Sequence, residues 1–338
     1  SHNPPHDHGY KVYGEDGAQL VEPAAGAVID EVNAISGDTY EALPENEQGQ
    51  VHEIGPDNDE AYMQRLETLL LDPDLVKSQS DLKIVFTNLH GTGGVISPQM
   101  LRRLGFHCDT VEAQDDQNGW FPTVKSPNPE NAEALSMGIA QAEESGADLV
   151  IATDPDCDRM AVAARDGSGK MTLITGNQIG SLMGYYRLLA FQNQGIINDS
   201  NCDHAVLVKT FVTSNLQDSI AADFGVNVVN TLTGFKYIGA KLKKYENQIP
   251  ANLREDYRNL SDAETRALRL EHSQFFVFGG EESYGYLGAD FLRDKDGNGA
   301  VVMFAELAAY AKSQGMTAVE LLDKLYCQHG VYLEGQHA

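Results

Sequence analysis

Ala147-Asp148-Leu149-Val150-Ile151-Ala152-Thr153-Asp154-Pro155-Asp156-Cys157-Asp158-Arg159-Met160-Ala161-Val162-Ala163-Ala164 decides how this chain is read. Residues 147–152 and 160–164 are short apolar runs of the length of buried strands, with a tight loop between them. The loop carries Asp154, Asp156 and Asp158 at alternate positions, a stiffening proline, and Arg159 directly after. Clustered carboxylates repel one another unless a cation sits between them. Their hard oxygens favour Mg²⁺ or Ca²⁺ over softer metals. Arg159 adds an anion-binding fork beside the metal candidates, and a metal next to an arginine points to phosphate chemistry. A solvated turn is the plainer alternative. An EF-hand does not fit, because Arg159 and Arg165 stand where glycine and glutamate are required. A second Asp-rich loop at 294–299 starts like an EF-hand, but Ala305 falls where the bidentate glutamate should be.

Upstream, residues 82–87 read as a strand, His90-Gly91-Thr92-Gly93-Gly94 as a loop, and 98–104 as a helix stopped by Gly105. This unit lacks both GxGxxG and GxxxxGK[ST], so its glycines are assigned to a tight turn. His90 reads as a satisfied loop histidine, and Cys157 as filler among oxygen ligands. A helix over 130–145 leads to the Asp loop. Downstream come a helix at 178–191, strands at 205–208 and 226–229, and a loop at 231–236 followed by a helix. A charged helical stretch at 245–272 carries the capping box Ser261-x-x-Glu264. Residues 275–278 form a buried strand, and helices at 300–313 and 319–328 close the chain, the second opened by Thr317-x-x-Glu320. Towards the start, 9–13 alternates like a strand, 36–60 is an acidic connecting helix and surface loop, and 59–71 is an amphipathic helix ended by Asp72-Pro73. The expected fold class is α/β, with consecutive domains that each hold a mixed β-sheet and flanking helices.

The chain has 338 residues, enough for two or three domains. No apolar run approaches the ~18 residues that span a membrane, so no membrane partner is expected. The four cysteines form no CxxC pair, which argues against a disulfide framework or zinc and for a reducing cytoplasm. The net charge of −26 argues against nucleic acid as a main partner, because phosphate backbones need basic surface. A small phosphorylated substrate needs only a few local cations.

Four loops follow in order: Ser1-His2-Asn3-Pro4, residues 154–159, Thr233-Gly234-Phe235-Lys236, and Gly280-Glu281-Glu282-Ser283. The series resembles the α-D-phosphohexomutase superfamily, the phosphoglucomutases and phosphomannomutases. The form Glu-Glu-Ser-Tyr-Gly-Tyr most resembles the longer bacterial phosphoglucomutases. The resemblance divides the chain into 1–57 (end of domain 1, with the phosphoserine loop), 58–175 (domain 2, metal loop) and 176–338 (domain 3, sugar loop). By the resemblance, a fourth domain is expected to lie outside the chain. The chain begins at Ser1 without a methionine, so it reads as an excerpt, expected to be inactive alone.

The resemblance implies interconversion of glucose 1-phosphate and glucose 6-phosphate through a phosphoserine and glucose 1,6-bisphosphate. A phosphomannomutase, a phosphopentomutase and a non-catalytic sugar-phosphate-binding fragment are the nearest alternatives. A phosphatase with Asp154 as nucleophile is a different class, and it leaves the Ser1 loop unexplained. By resemblance Ser1 carries the phosphoryl group and His2 holds its loop. Asp154, Asp156 and Asp158 bind Mg²⁺ together with a phosphoserine oxygen at Ser1. Lys11 compensates the serine's charge, and Arg159 neutralises phosphoryl oxygens. Glu281 and Ser283 meet sugar hydroxyls, while Gly234, Lys236 and Arg293 line the substrate cleft. Tyr284, Gly285 and Tyr286 stand where some members carry an acid/base histidine, so Lys295 is the substitute base.

Overall fold

The computed structural model describes Asn3, His6 and residues 9–37 and 41–335; Ser1 and His2 lie outside them. Two mixed sheets organise the chain. The first holds β1 (Lys83–Thr87), β2 (His107–Thr110), β3 (Leu149–Thr153), β4 (Met160–Arg165) and β5 (Met171–Ile174), in the order β2-β1-β3-β4-β5. β1 runs parallel to β2 and β3, while β3-β4 and β4-β5 are antiparallel. All five residues of β3 are buried, which is why the run is apolar throughout rather than alternating. The second sheet holds β6 (Ala205–Thr210), β7 (Asn227–Thr231), β8 (Phe275–Gly280) and β9 (Tyr286–Leu287), in the order β7-β6-β8-β9. Only its β8-β9 pair is antiparallel.

Helix Gly297–Ser313 joins the two sheets. It packs against helices Pro56–Glu67, Pro73–Ser78 and Ser97–Arg103 on the first side and against Gly176–Asn193 and β9 on the second. Thirteen of its 17 residues are buried, so it is apolar almost all round. One continuous core contains Ile84, Ile151 and Val162 from the first sheet, Leu207 and Phe278 from the second, and Phe304 from this helix. Burying a side chain such as Phe304 contributes about 1.5–3 kcal/mol. That packing fixes the loops at the strand ends relative to one another. Among the described residues, no helix is long and apolar enough to cross a membrane.

Several segments differ from the sequence reading. Residues 9–13 form no strand; only an isolated Tyr13–Gln19 bridge is present, and Tyr10 is 92% exposed. Their alternation finds no partner strand among the described residues. A helix at Ala24–Ala34 went unread, and among the described residues of 36–60 the helical turn before Pro56 opens the next helix is Glu45–Glu47. Proline suits that first helical position. Asp72 does not simply end that helix. It caps the next, Pro73–Ser78, by accepting a hydrogen bond from the Leu75 N–H at 2.9 Å. The stretch 245–272 is broken at Pro250 into the end of Phe235–Gln248, a turn at Ala251–Arg254, and Asp262–His272. Helix Ser136–Ser145 starts later than expected, because the Asn128 side chain folds residues 128–130 into a turn by accepting from the Glu130 N–H.

Candidate active site

β3 and β4 pair Thr153 with Met160, so residues 154–159 form the connecting loop. Carboxylate oxygens of Asp154, Asp156 and Asp158 lie within 4.8 Å of one another. Asp154 is fully buried, and its Oδ1 accepts from the backbone N–H groups of Asp158 (3.1 Å) and Arg159 (3.0 Å), which curls the loop around it. The loop rests on the 91–94 turn. The Thr92 N–H donates to the Pro155 carbonyl at 2.8 Å, and a Cβ on Gly91 would lie 2.2 Å from Pro155 Cα. Gly91 therefore serves close backbone approach, whereas a Cβ on Gly93 or Gly94 would meet the Thr153 or Asn88 side chain.

Two ammonium groups face the carboxylates. Lys295 Nζ lies 2.8 Å and Lys11 Nζ 3.1 Å from Asp158 Oδ2. Burial pushes the Asp158 carboxyl up, but Lys295 and Lys11 outweigh it and hold the pKa down at about 2. Arg159 places Nη1 3.0 Å from Glu130 Oε1.

The loop between β8 and β9 sits against the Asp loop. Residues Arg159 and Gly285 form a bridge, and the Met160 N–H donates to the Tyr284 carbonyl at 3.0 Å. The Gly297 N–H donates to the Cys157 carbonyl at 2.9 Å. Glu281 is 5% exposed, and its Oε1 accepts from the Gly234 N–H at 2.8 Å. Gly234 has φ 115°, a conformation that favours glycine. Burial pushes the Glu281 carboxyl up. Ser283, Glu282, Tyr284 and Glu130 line a cavity of about 710 Å³ whose lining contains no lysine or arginine among the described residues. Its lining carries the carboxylates of Glu130, Glu282 and Glu334 beside neutral polar groups.

The family model for phosphoglucomutase/phosphomannomutase, alpha/beta/alpha domain II, matches residues 60–167, and that for domain III matches residues 175–329. The chain belongs to the phosphoglucomutase/phosphomannomutase family. A phosphoglucomutase of Staphylococcus epidermidis is 34% identical over 331 residues, 96% of this chain and 54% of that protein. A phosphoglucomutase of Staphylococcus haemolyticus is 35% identical, over 98% of this chain and 55% of that protein. The chain thus spans about half the length of the curated relatives it matches. A putative phosphomannomutase from Thermus thermophilus shares the fold with a TM-score of 0.59, at 20% identity, over 81% of this chain and 51% of that one.

Within this phosphoglucomutase/phosphomannomutase frame, the structure places three expected site residues as follows. Lys295, expected as the base, pairs with Asp158 at 2.8 Å; burial lowers its pKa, but Asp158 and Asp294 outweigh that and raise it. Arg293 does not face the cleft. It is 2% exposed and forms a buried ion pair with Glu246, with Asp16 Oδ2 at 3.9 Å. Lys236 does not line the cavity beside Ser283. It lies 5.2 Å from the Tyr237 ring and borders a separate groove with Tyr10 and Val12. Ser1 and His2 are outside the described residues. The sequence reading missed Glu130, which holds Arg159, and Tyr13, whose hydroxyl donates to Asp294 Oδ2 at 2.7 Å. Neither belongs to a local motif.

Proposed function

We propose that this chain supplies the serine, metal and sugar loops of a phosphosugar mutase. That enzyme interconverts glucose 1-phosphate and glucose 6-phosphate through a phosphoserine and glucose 1,6-bisphosphate. The observation that carries this reading is the direct hydrogen bonding of the carboxylate loop to the sugar loop at Arg159–Gly285 and Met160–Tyr284. A phosphoryl-handling loop and a hydroxyl-recognising loop are thereby held side by side. The donor set is all carboxylate oxygen, which fits Mg²⁺ held by Asp154, Asp156 and Asp158. When bound, that ion neutralises charge on the phosphoryl oxygens. Ser1 bears the phosphoryl group and contributes a further oxygen at the metal. In transfer its Oγ–P bond breaks as a sugar hydroxyl oxygen bonds to phosphorus, and the proton that hydroxyl loses ends on the freed Ser1 Oγ. Lys11 and Lys295 offset the negative charge at the carboxylate end, and Arg159 does so at the phosphoryl oxygens. Glu281 accepts from sugar hydroxyls, and Ser283 donates to or accepts from them.

The divisions 1–57, 58–175 and 176–338 follow this reading. Four free cysteines support a reducing compartment such as the cytoplasm. The test is a coupled assay for glucose 6-phosphate formed from glucose 1-phosphate, with mannose 1-phosphate in parallel, using the protein at its natural length. Turnover that requires Mg²⁺ and is abolished in Ser1→Ala supports the reading. Ser1→Ala activity within about tenfold of wild type contradicts it.

A further inference from the structure

Glu281 and Glu282 are adjacent, yet their carboxylates go to different strand ends. Glu281 meets the Gly234 N–H, beyond β7. Glu282 Oε2 accepts from Thr210 Oγ1 at 3.0 Å and Thr213 Oγ1 at 3.3 Å, at the end of β6. The two threonine hydroxyls lie 2.8 Å apart. The turn they occupy is itself anchored. Lys209, 1% exposed, donates to the Thr213 carbonyl at 3.1 Å and pairs with Asp218. The Ser214 N–H donates to Asn177 Oδ1 at 2.8 Å.

The loop that Glu282 belongs to needs such an anchor. Tyr284 has φ 69°, a strained backbone for an aromatic residue, which persists only when its surroundings over-determine it. A Cβ on Gly176 would lie 1.9 Å from the Glu282 carbonyl oxygen, so the loop backbone already sits at its closest approach. Hydrogen bonds to an ionised carboxylate are about twice as strong as neutral ones.

We propose that Glu282 is a positioning residue: a strut between the sugar loop and the Thr210–Thr213 turn that sets how Glu281 and Ser283 meet the sugar. The proposal rests on the mutase reading above. The test compares Glu282→Ala, Glu282→Gln and the double variant Thr210→Val/Thr213→Val in the protein at its natural length. The strut predicts a rise in KM for the sugar phosphate of about tenfold or more in Glu282→Ala, with kcat within about threefold. The threonine double variant reproduces that rise, and Glu282→Gln, which keeps an acceptor oxygen, falls between. Combining the changes adds little, because they remove one interaction. Mg²⁺ affinity stays unchanged.

A KM rise at Glu282 that the threonine variant does not share would mean direct sugar contact and overturns the strut. So does a KM in Glu282→Ala within about twofold of wild type. Hydrogen exchange separates this from the mutase reading. The strut requires amide exchange of residues 281–286 to quicken about tenfold in Glu282→Ala, with or without turnover. Unchanged exchange overturns the strut alone, whereas a wild type that turns over no sugar phosphate overturns the mutase reading alone.

Discussion

Replacing Gly91 with alanine displaces the carboxylate loop through one methyl group. The Gly91 backbone, at φ −103°, suits alanine, so the effect is steric rather than conformational. Its Cβ would sit 2.2 Å from Pro155 Cα and 2.5 Å from the Pro155 carbonyl oxygen, against an ordinary contact of 3.4–4 Å. Both atoms are backbone, so no side chain can swing aside. Residue 155, between two proposed ligands, must move by about 1 Å, whereas metal–ligand distances tolerate only about ±0.2 Å. Overpacking of this kind costs about 1–3 kcal/mol. The reduced freedom of the unfolded chain offsets about 0.4–1 kcal/mol of that. A net destabilisation of about 1–2 kcal/mol is expected by urea unfolding, with Mg²⁺ affinity by calorimetric titration weakened about tenfold or more. Gly119→Ala, where a Cβ meets nothing within 4 Å, serves as the control. A Gly91→Ala protein with unchanged stability and unchanged metal affinity would refute the claim that this turn seats the loop.

Asp156→Asn removes one charged oxygen donor from an exposed ligand position. Metal affinity should fall and phosphoryl transfer should slow, with sugar-phosphate KM changed less; retained Mg²⁺ affinity would count against the ligand set. Burial pushes the Glu306 carboxyl up from 4.5 to about 7, against the Asp72 and Leu71 N–H groups that its Oε1 accepts. A raised folded pKa means the neutral form is favoured in the fold. The penalty is therefore absent below the usual carboxylate range and complete above about pH 7. Stability should fall by up to about 3 kcal/mol across that window, and Glu306→Gln should flatten the slope; an unaltered slope contradicts this. Arg293→Met leaves Glu246 buried with weaker partners, so unfolding free energy should drop by about 2 kcal/mol or more. Substrate KM should stay unchanged, and a raised KM in the folded variant would restore Arg293 to the cleft.

Where an element announces itself locally, the sequence told it plainly. The runs 147–152 and 160–164 are apolar because β3 and β4 are buried on both faces. The Ser261 and Thr317 capping boxes form as read, each with the reciprocal glutamate contact. Helix Ala24–Ala34 gave no such signal: none of its residues is buried and no side chain caps it. Arg293 and Lys295 stand two residues apart in one polar string, yet Arg293 is buried against Glu246 and Lys295 reaches Asp158. Nothing in a string of arginine, aspartate and lysine tells which side chain turns inward. That is set by helix Phe235–Gln248, which carries Glu246, and by the β9 crossing. The contacts that build the site join residues far apart in sequence, as Lys11 and Lys295 do with Asp158; the resemblance placed Lys11 by the serine and Lys295 as the base, and neither against Asp158.

The central claim is that a serine phosphate at Ser1 and the carboxylate loop act together on a sugar phosphate. The direct measurement is transfer of label from glucose 1,6-bisphosphate to the protein at its natural length, in Mg²⁺, with the site mapped by mass spectrometry. The account predicts acid-stable phosphate on Ser1 that is chased onto glucose 6-phosphate by unlabelled sugar monophosphate, and that is lost in Asp156→Asn. Acid-labile acyl phosphate on Asp154, or no label on Ser1, would contradict it.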